Sequence, residues 1–112
     1  MSINTEIEYC YRDACNYKKY NSVVLRGNLT YNDIEPFLHE GDFFIPSVVG
    51  LEDLQDEPFT VNDHIWHGIY EISETKSIPN IKITSNELLQ NFKEAKQNNW
   101  NEYEVYKRKG LV

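Results

Sequence analysis

From Ile3 to Arg12 the chain alternates. Ile3, Thr5, Ile7, Tyr9 and Tyr11 fall on one face, and Asn4, Glu6, Glu8, Cys10 and Arg12 on the other. A period of two, with β-branched and aromatic residues gathered on one side, predicts a half-buried strand. Asp13-Ala14-Cys15-Asn16 then supplies turn-forming side chains. A second strand is expected over 22–27, where Val23, Val24 and Leu25 follow one another. Two strands this close in sequence predict an antiparallel hairpin with a long connection.

Thr30-Tyr31-Asn32-Asp33 opens a short helix. Thr30 or Asp33 can cap it. Asp33 is the preferred cap, because it sets Pro36 in the first turn, where a missing N–H costs nothing. Gly41 is expected to close the helix in the left-handed conformation. Asp42–Ile45 reads as a short strand stopped by Pro46, and 47–62 as an ordered, irregular loop. Long loops in small domains are where function tends to reside.

A strand is expected over 64–72, with Ile65 and Ile69 on one side and Trp66, Tyr70 and Ile72 on the other. Apolar residues on both faces fit a central strand. Residues 74–79 read as a turn and 81–83 as a short linker strand. The clearest helix begins with the capping box Thr84-Ser85-Asn86-Glu87, followed by Leu88, Leu89, Phe92 and Ala95 at helical spacing. Asn98-Asn99 ends it. A last helix over about 101–109 is expected to bury Trp100, Tyr103 and Tyr106, to carry Lys107, Arg108 and Lys109 in its final turn, and to stop at Gly110. The sum is a single α+β domain over 1–112: a mainly antiparallel sheet of about four strands with two C-terminal helices packed on one face.

Composition narrows the class. At 112 residues, 40% of them hydrophobic, the chain is sized for one packed core and not for two. The N-terminal residues lack the basic start and apolar run of a signal peptide, and no apolar stretch spans a membrane. Two cysteines, Cys10 and Cys15, are fewer than a small secreted scaffold carries. The expected setting is a reducing cytoplasm with two free thiols, the alternative being a Cys10–Cys15 bridge across a turn.

Charge changes the picture more. The net charge is −7, but residues 27–75 hold eleven acidic groups and no Lys or Arg. Residues 1–26 have four basic and three acidic groups, and 76–112 have seven basic and four acidic. An acidic middle can steer a basic partner, or it can be neutralised by basic ends folding over it, or serve solubility alone. It repels phosphates, so direct nucleic-acid binding is not expected.

Asp63-His64-Ile65-Trp66-His67 is the densest set of reactive polar groups. Zinc needs three or four ligands of defined geometry. On a strand, His64 and His67 point to opposite faces; on a helix they would share one. No Cys lies nearby in sequence, and no His-Glu-x-x-His pattern is present. A surface histidine and a histidine packed beside Trp66 is the simpler reading. Neither a metal nor another cofactor is expected. No Gly-x-Ser-x-Gly elbow and no phosphate-cradling glycine cluster is present. Tyr9, Arg12, Asp13, Tyr17, Lys18, Lys19 and Tyr20 form an aromatic–basic cluster of the residue types that anchor interfaces; tyrosines packed across a hairpin are the simpler reading.

Ile7-Glu8-Tyr9-Cys10-Tyr11-Arg12-Asp13-Ala14-Cys15-Asn16-Tyr17-Lys18, Phe44-Ile45-Pro46-Ser47-Val48-Val49-Gly50-Leu51, Asp63-His64-Ile65-Trp66-His67 and Gly110-Leu111-Val112 together resemble a family of small proteins of bacteria and their phages with no known activity. The resemblance implies a cytoplasmic, stand-alone domain and adds a mobile-element inhibitor to the readings. The expected function is a non-catalytic binding protein that engages a protein or a small ligand. Arg12, Tyr17, Trp66, His64 and His67 would form the ligand site, and Asp53, Asp56, Glu57 and Asp63 would face the partner. The alternatives are a phage inhibitor that mimics nucleic-acid charge or sequesters a ligand, and a small metal-dependent hydrolase built on Asp63, His64 and His67. A homodimer through a sheet edge is also open.

Overall fold

Strand β1, Asn4–Arg12, carries the period-two pattern into the core: Thr5, Ile7, Tyr9 and Tyr11 are all buried. The computed structural model describes residues 3–13, 15, 17–54 and 64–109. Thr5 is polar at a core position and is satisfied there. Its hydroxyl donates to the Gly27 carbonyl at 2.7 Å and accepts the Leu29 amide at 2.9 Å. β1 pairs antiparallel on one side with β2, Lys18–Leu25, and on the other with β4, His67–Thr75; β4 in turn pairs antiparallel with the two-residue β3, Phe43–Phe44. The sheet order is β2-β1-β4-β3.

β2 starts earlier than the 22–27 span expected from its apolar run. The Asp13 carboxylate accepts the Cys15 and Tyr17 amides, each at 2.9 Å, and the Asp13 amide donates to the Tyr17 carbonyl. The connection is therefore short, and the ladder runs from Arg12 opposite Lys18 onward. Backbone pairing, not burial, makes Lys18–Asn21 a strand. At the other end Gly27 turns the chain away with φ 98°, and a Cβ there would meet Ser85 Oγ at 2.3 Å; only glycine suits both demands.

β4 begins three residues later than expected and contains a bulge. Tyr9 faces Ile69, whereas Glu8 faces Glu71, so Tyr70 is the extra residue. The bulge switches the alternation. Ile69 and Ile72, of opposite parity, both pack against the core, and Tyr70 is left exposed on the far face. The apolar pattern on both sides of this strand is thus the trace of a bulge.

Between β2 and β4 the chain is more helical than expected. α1, Tyr31–Ile34, is capped by Thr30 and not by Asp33, whose carboxylate instead accepts the Thr30 amide at 2.9 Å. A 3₁₀ turn, Glu35–Phe37, follows, because Pro36 has no N–H with which to continue the α ladder. Gly41 closes no helix. With Glu40 it forms the left-handed part of a tight turn joining His39 to Phe43. Pro46 does end β3, but it also starts α2, Pro46–Val49, which Gly50 terminates at φ 97°. The expected irregular loop therefore begins only after Gly50. Residues 81–83 form no strand; Thr84 makes a single parallel bridge to Arg26.

α3, Ser85–Gln97, has its capping box: Thr84 Oγ1 accepts the Glu87 amide at 3.2 Å, and Glu87 Oε1 accepts the Thr84 amide at 3.1 Å. Leu88, Phe92 and Ala95 are buried. Phe92 meets Phe44 of the sheet at 5.7 Å between ring centroids and Trp100 at 5.5 Å. Asn99, Trp100 and Asn101 all adopt positive φ, and α4, Glu102–Arg108, follows. This turn buries Trp100 but rotates α4, so that Val105 is buried and Tyr103 is 65% exposed, contrary to expectation. The α+β architecture is as the sequence predicts, with α1 and α2 as short additions. Among the described residues no helix is long and apolar enough to cross a membrane, and Cys10 and Cys15 are free.

Candidate functional site

Strand register brings four residues into line across the sheet face that points away from the core. Phe43 faces Gly68, Gly68 faces Cys10, and Cys10 faces Tyr20. Residues directly opposite in a ladder share a face. Phe43 is 39% exposed and Tyr20 is 50% exposed, while Gly68 has open space where a Cβ would stand. The row is therefore high at both ends and low in the middle. Tyr70 adds to the Tyr20 end, its ring edge-on to Tyr20 at 5.5 Å.

Where this row reaches the end of β1, the chain forms a cleft. Cys10, Arg12, Asp13, Phe43, His64, Trp66, His67 and Gly68 line a volume of about 420 Å³. Small-molecule sites span roughly 300–1,000 Å³. A second hollow of about 330 Å³, lined by His39, Glu40, Phe43, His64 and Trp66, shares Phe43, His64 and Trp66 with it. Trp66 is half-buried. His39 lies flat on it at 4.1 Å and 8°, and Trp100 meets it edge-on at 6.3 Å. Arg12 is exposed, and its guanidinium makes no hydrogen bond or ion pair among the described residues. Its neighbour Asp13 has an oxygen committed to the turn amides.

The two histidines do not lie on opposite faces of one strand. His64 precedes β4, and the bend between them sets both rings against Tyr11, each at 5.1 Å. Both are held by backbone. His64 Nδ1 accepts the Trp66 amide at 3.0 Å, which leaves Nε2 to donate to the Arg12 carbonyl at 2.6 Å. His67 Nε2 accepts the Leu54 amide at 2.9 Å, and Nδ1 lies 3.3 Å from the Ile65 carbonyl. Burial lowers the pKa of His67 to about 4, against the opposing pull of Asp53. Each imidazole thus spends its lone pair on an amide, and a metal would have to take both back. Among the described residues no group of three or more His, Cys, Asp or Glu could hold an ion. Burial also pushes the Cys10 thiol up, with Arg12 pulling the other way; this favours the thiol over the nucleophilic thiolate.

Of the expected ligand residues, Arg12, His64, Trp66 and His67 meet at one cleft, and Tyr17 is not among its lining residues. Tyr17 sits exposed on the β1–β2 connection, and Phe43 supplies the aromatic wall. Asp53 is not presented to a partner as expected. It is paired with Lys109 at 3.0 Å, with both side chains 13% exposed, and its other oxygen accepts the Ser47 amide at 2.9 Å. The basic C-terminal helix covers the acidic middle at this point. Elsewhere Glu35, Glu40, Asp42, Glu52, Glu71 and Glu74 stay exposed. Asp56, Glu57 and Asp63 lie outside the described residues. Sequence reasoning missed Phe43, Gly68 and Cys10 as a set; only the period-two relation of Cys10 to Arg12 was visible beforehand. Comparison with protein-family models, with curated proteins and with solved structures finds no match.

Proposed function

We propose that this chain is a non-catalytic binding module of a reducing, cytoplasmic compartment, and that it takes its ligand in the cleft between the end of β1 and the start of β4. The observation that carries this reading is Arg12: a guanidinium without a protein partner among the described residues, set at a concave site beside Trp66 and Phe43. Free guanidinium beside aromatic surface is the combination that dominates recognition sites. Among the described residues that line the cleft no nucleophile is activated, since burial favours the Cys10 thiol and both imidazoles are committed to backbone. The exposed carboxylates of the acidic middle would set the sign of approaching partners and not form the site itself. Self-association through the β2 edge would have to use residues 18–23, because Asn80 already hydrogen-bonds both the amide and the carbonyl of Val24.

The test is a fragment titration of the ¹⁵N-labelled protein. Fragments of mixed charge are expected to shift the amide signals of Cys10, Arg12, Trp66 and Gly68, and Arg12→Ala to abolish those shifts while leaving the rest of the spectrum in place. Shifts clustered instead around the separate hollow of about 390 Å³ lined by Asn98, Asn99, Asn101, Glu102, Tyr103 and Glu104, or unchanged by Arg12→Ala, would overturn the reading.

A further inference from the structure

We infer that the ligand of this cleft is a planar aromatic anion, its ring lying over Gly68 and Cys10 between Phe43 and the Tyr20–Tyr70 pair, and its charge on Arg12. The inference rests on the binding-module reading and adds the chemical class.

Three features of the sheet's outer face carry it. The first is shape. The register Phe43–Gly68–Cys10–Tyr20 places the two smallest side chains of the row between two exposed aromatic ones. The bulge adds Tyr70 to the same wall, edge-on to Tyr20. The cleft itself covers the Phe43–Gly68–Cys10 part of this row, and the two tyrosines stand beyond its lining; a strip with a glycine floor and aromatic ends suits a flat ring, whose edges meet aromatic side chains by offset or edge-to-face contact.

The second is the open space above Gly68. A Cβ built there meets no atom within 4 Å, and the backbone is not left-handed. Neither local sterics nor conformation therefore calls for glycine inside this strand, where glycine is unfavourable for strand stability. A glycine inside a strand marks a bulge, a bend or the close approach of another group; the bulge here falls at Tyr70, while Gly68 stays in register with both Cys10 and Phe43, which favours close approach.

The third is charge. Arg12 follows Cys10 by two residues on the same strand, so it stands on the same face, at the end of the strip, across from Lys18. Asp13 also lines the cleft, with one oxygen committed to the turn amides, so Arg12 and Lys18 leave this end of the sheet net cationic among the described residues. Glu6, Glu8 and Glu71 lie towards the other end. A ligand with an anionic group thus has one orientation available to it, ring on Gly68 and anion on Arg12. A planar guanidinium pairs with a carboxylate or phosphate through two parallel hydrogen bonds.

The experiment uses three probes that separate the components: 2-naphthoate, the non-aromatic cyclohexanecarboxylate, and the neutral 2-naphthylmethanol. Each is titrated into the full-length ¹⁵N-labelled protein. The expected result is saturable shifts at Cys10, Arg12 and Gly68 with 2-naphthoate, at least tenfold tighter than with either other probe. Gly68→Val fills the floor of the strip with a residue that strands favour, so the fold and Tm should hold while 2-naphthoate binding falls at least tenfold. Arg12→Gln should remove the preference of 2-naphthoate over 2-naphthylmethanol. Equal binding of cyclohexanecarboxylate or 2-naphthylmethanol at the same residues overturns the aromatic-anion class and leaves the cleft reading standing. Absence of 2-naphthoate shifts, or shifts indifferent to Gly68→Val, also overturns the class. If no probe moves any cleft signal, both readings fall.

Discussion

His67 holds the amide of Leu54: its Nε2 accepts that N–H at 2.9 Å from a ring that is almost wholly buried. The bond ties the first strand-forming residue of β4 to the segment that follows α2. Tyr9 reinforces it by donating its hydroxyl to the Glu52 carbonyl at 2.6 Å. The accepting nitrogen must stay unprotonated. Asp53 favours the charged ring, but burial, His64 and Lys109 oppose it, and the pKa settles at about 4 against 6.5 for the free side chain. The unfolded chain therefore takes up the proton first. This contribution to stability is complete above pH 6.5 and is lost as pH falls towards 4, by about 3 kcal/mol in total. Urea unfolding at pH 7.5 and at pH 5 should show the fall, and His67→Phe should shrink it. An equally steep fall in His67→Phe would assign the effect to other groups.

The Asp53–Lys109 pair ties the acidic middle to the basic C-terminal helix. At 13% exposure each, the two charges lie between a surface pair and a buried one. Asp53→Asn keeps the oxygen that accepts the Ser47 amide and removes only the charge. It is expected to cost about 1–3 kcal/mol. Lys109→Met should cost a similar amount, and the double variant less than the two together. Strict additivity in the double-mutant cycle would show that the pair has no net coupling.

Phe92 is where α3 meets the sheet and the C-terminal turn, with Phe44 and Trp100 rings on either side. Phe92→Ala is expected to cost about 3–5 kcal/mol. That is a large share of the roughly 5–15 kcal/mol holding a domain of ordinary stability. Loss of the thermal transition, or a fall of many degrees in Tm, is the expected calorimetric result. A small shift would mean that α3 is not part of the same core.

The turn through Asn99, Trp100 and Asn101 decides which side of α4 faces inward. Val105→Ala should therefore cost about 2 kcal/mol, while Tyr103→Ala should stay within about 0.5 kcal/mol of the parent. Helical spacing drawn from Trp100 alone gives the opposite expectation for Tyr103. Urea midpoints of the two variants separate the rotations directly.

The sequence by itself determined the features that depend on neighbours a few residues away. The alternation of β1 survives from Thr5 to Arg12, because side chains flip face at every residue of a strand; only its first step fails, with Ile3 exposed and Asn4 buried. The capping box at Thr84 and Glu87 survives because both of its bonds close within three residues. The class, an antiparallel sheet with C-terminal helices on one face, follows from the order of such patterns. What only the tertiary structure decided is who meets across the sheet and around its end. Phe43 reaches Cys10 through Gly68 by the register of three different strands. His64 finds the Arg12 carbonyl fifty-two positions away, and both histidines close on Tyr11 because the chain bends before β4. The bulge at Tyr70 shifts the parity of a whole strand, and its trace in the sequence, apolar residues of both parities, reads equally as a central strand. Local periodicity fixes which way a side chain points relative to its own backbone. Register, bulges and turns fix what it points at, and they are set by the packing of segments far apart in the chain.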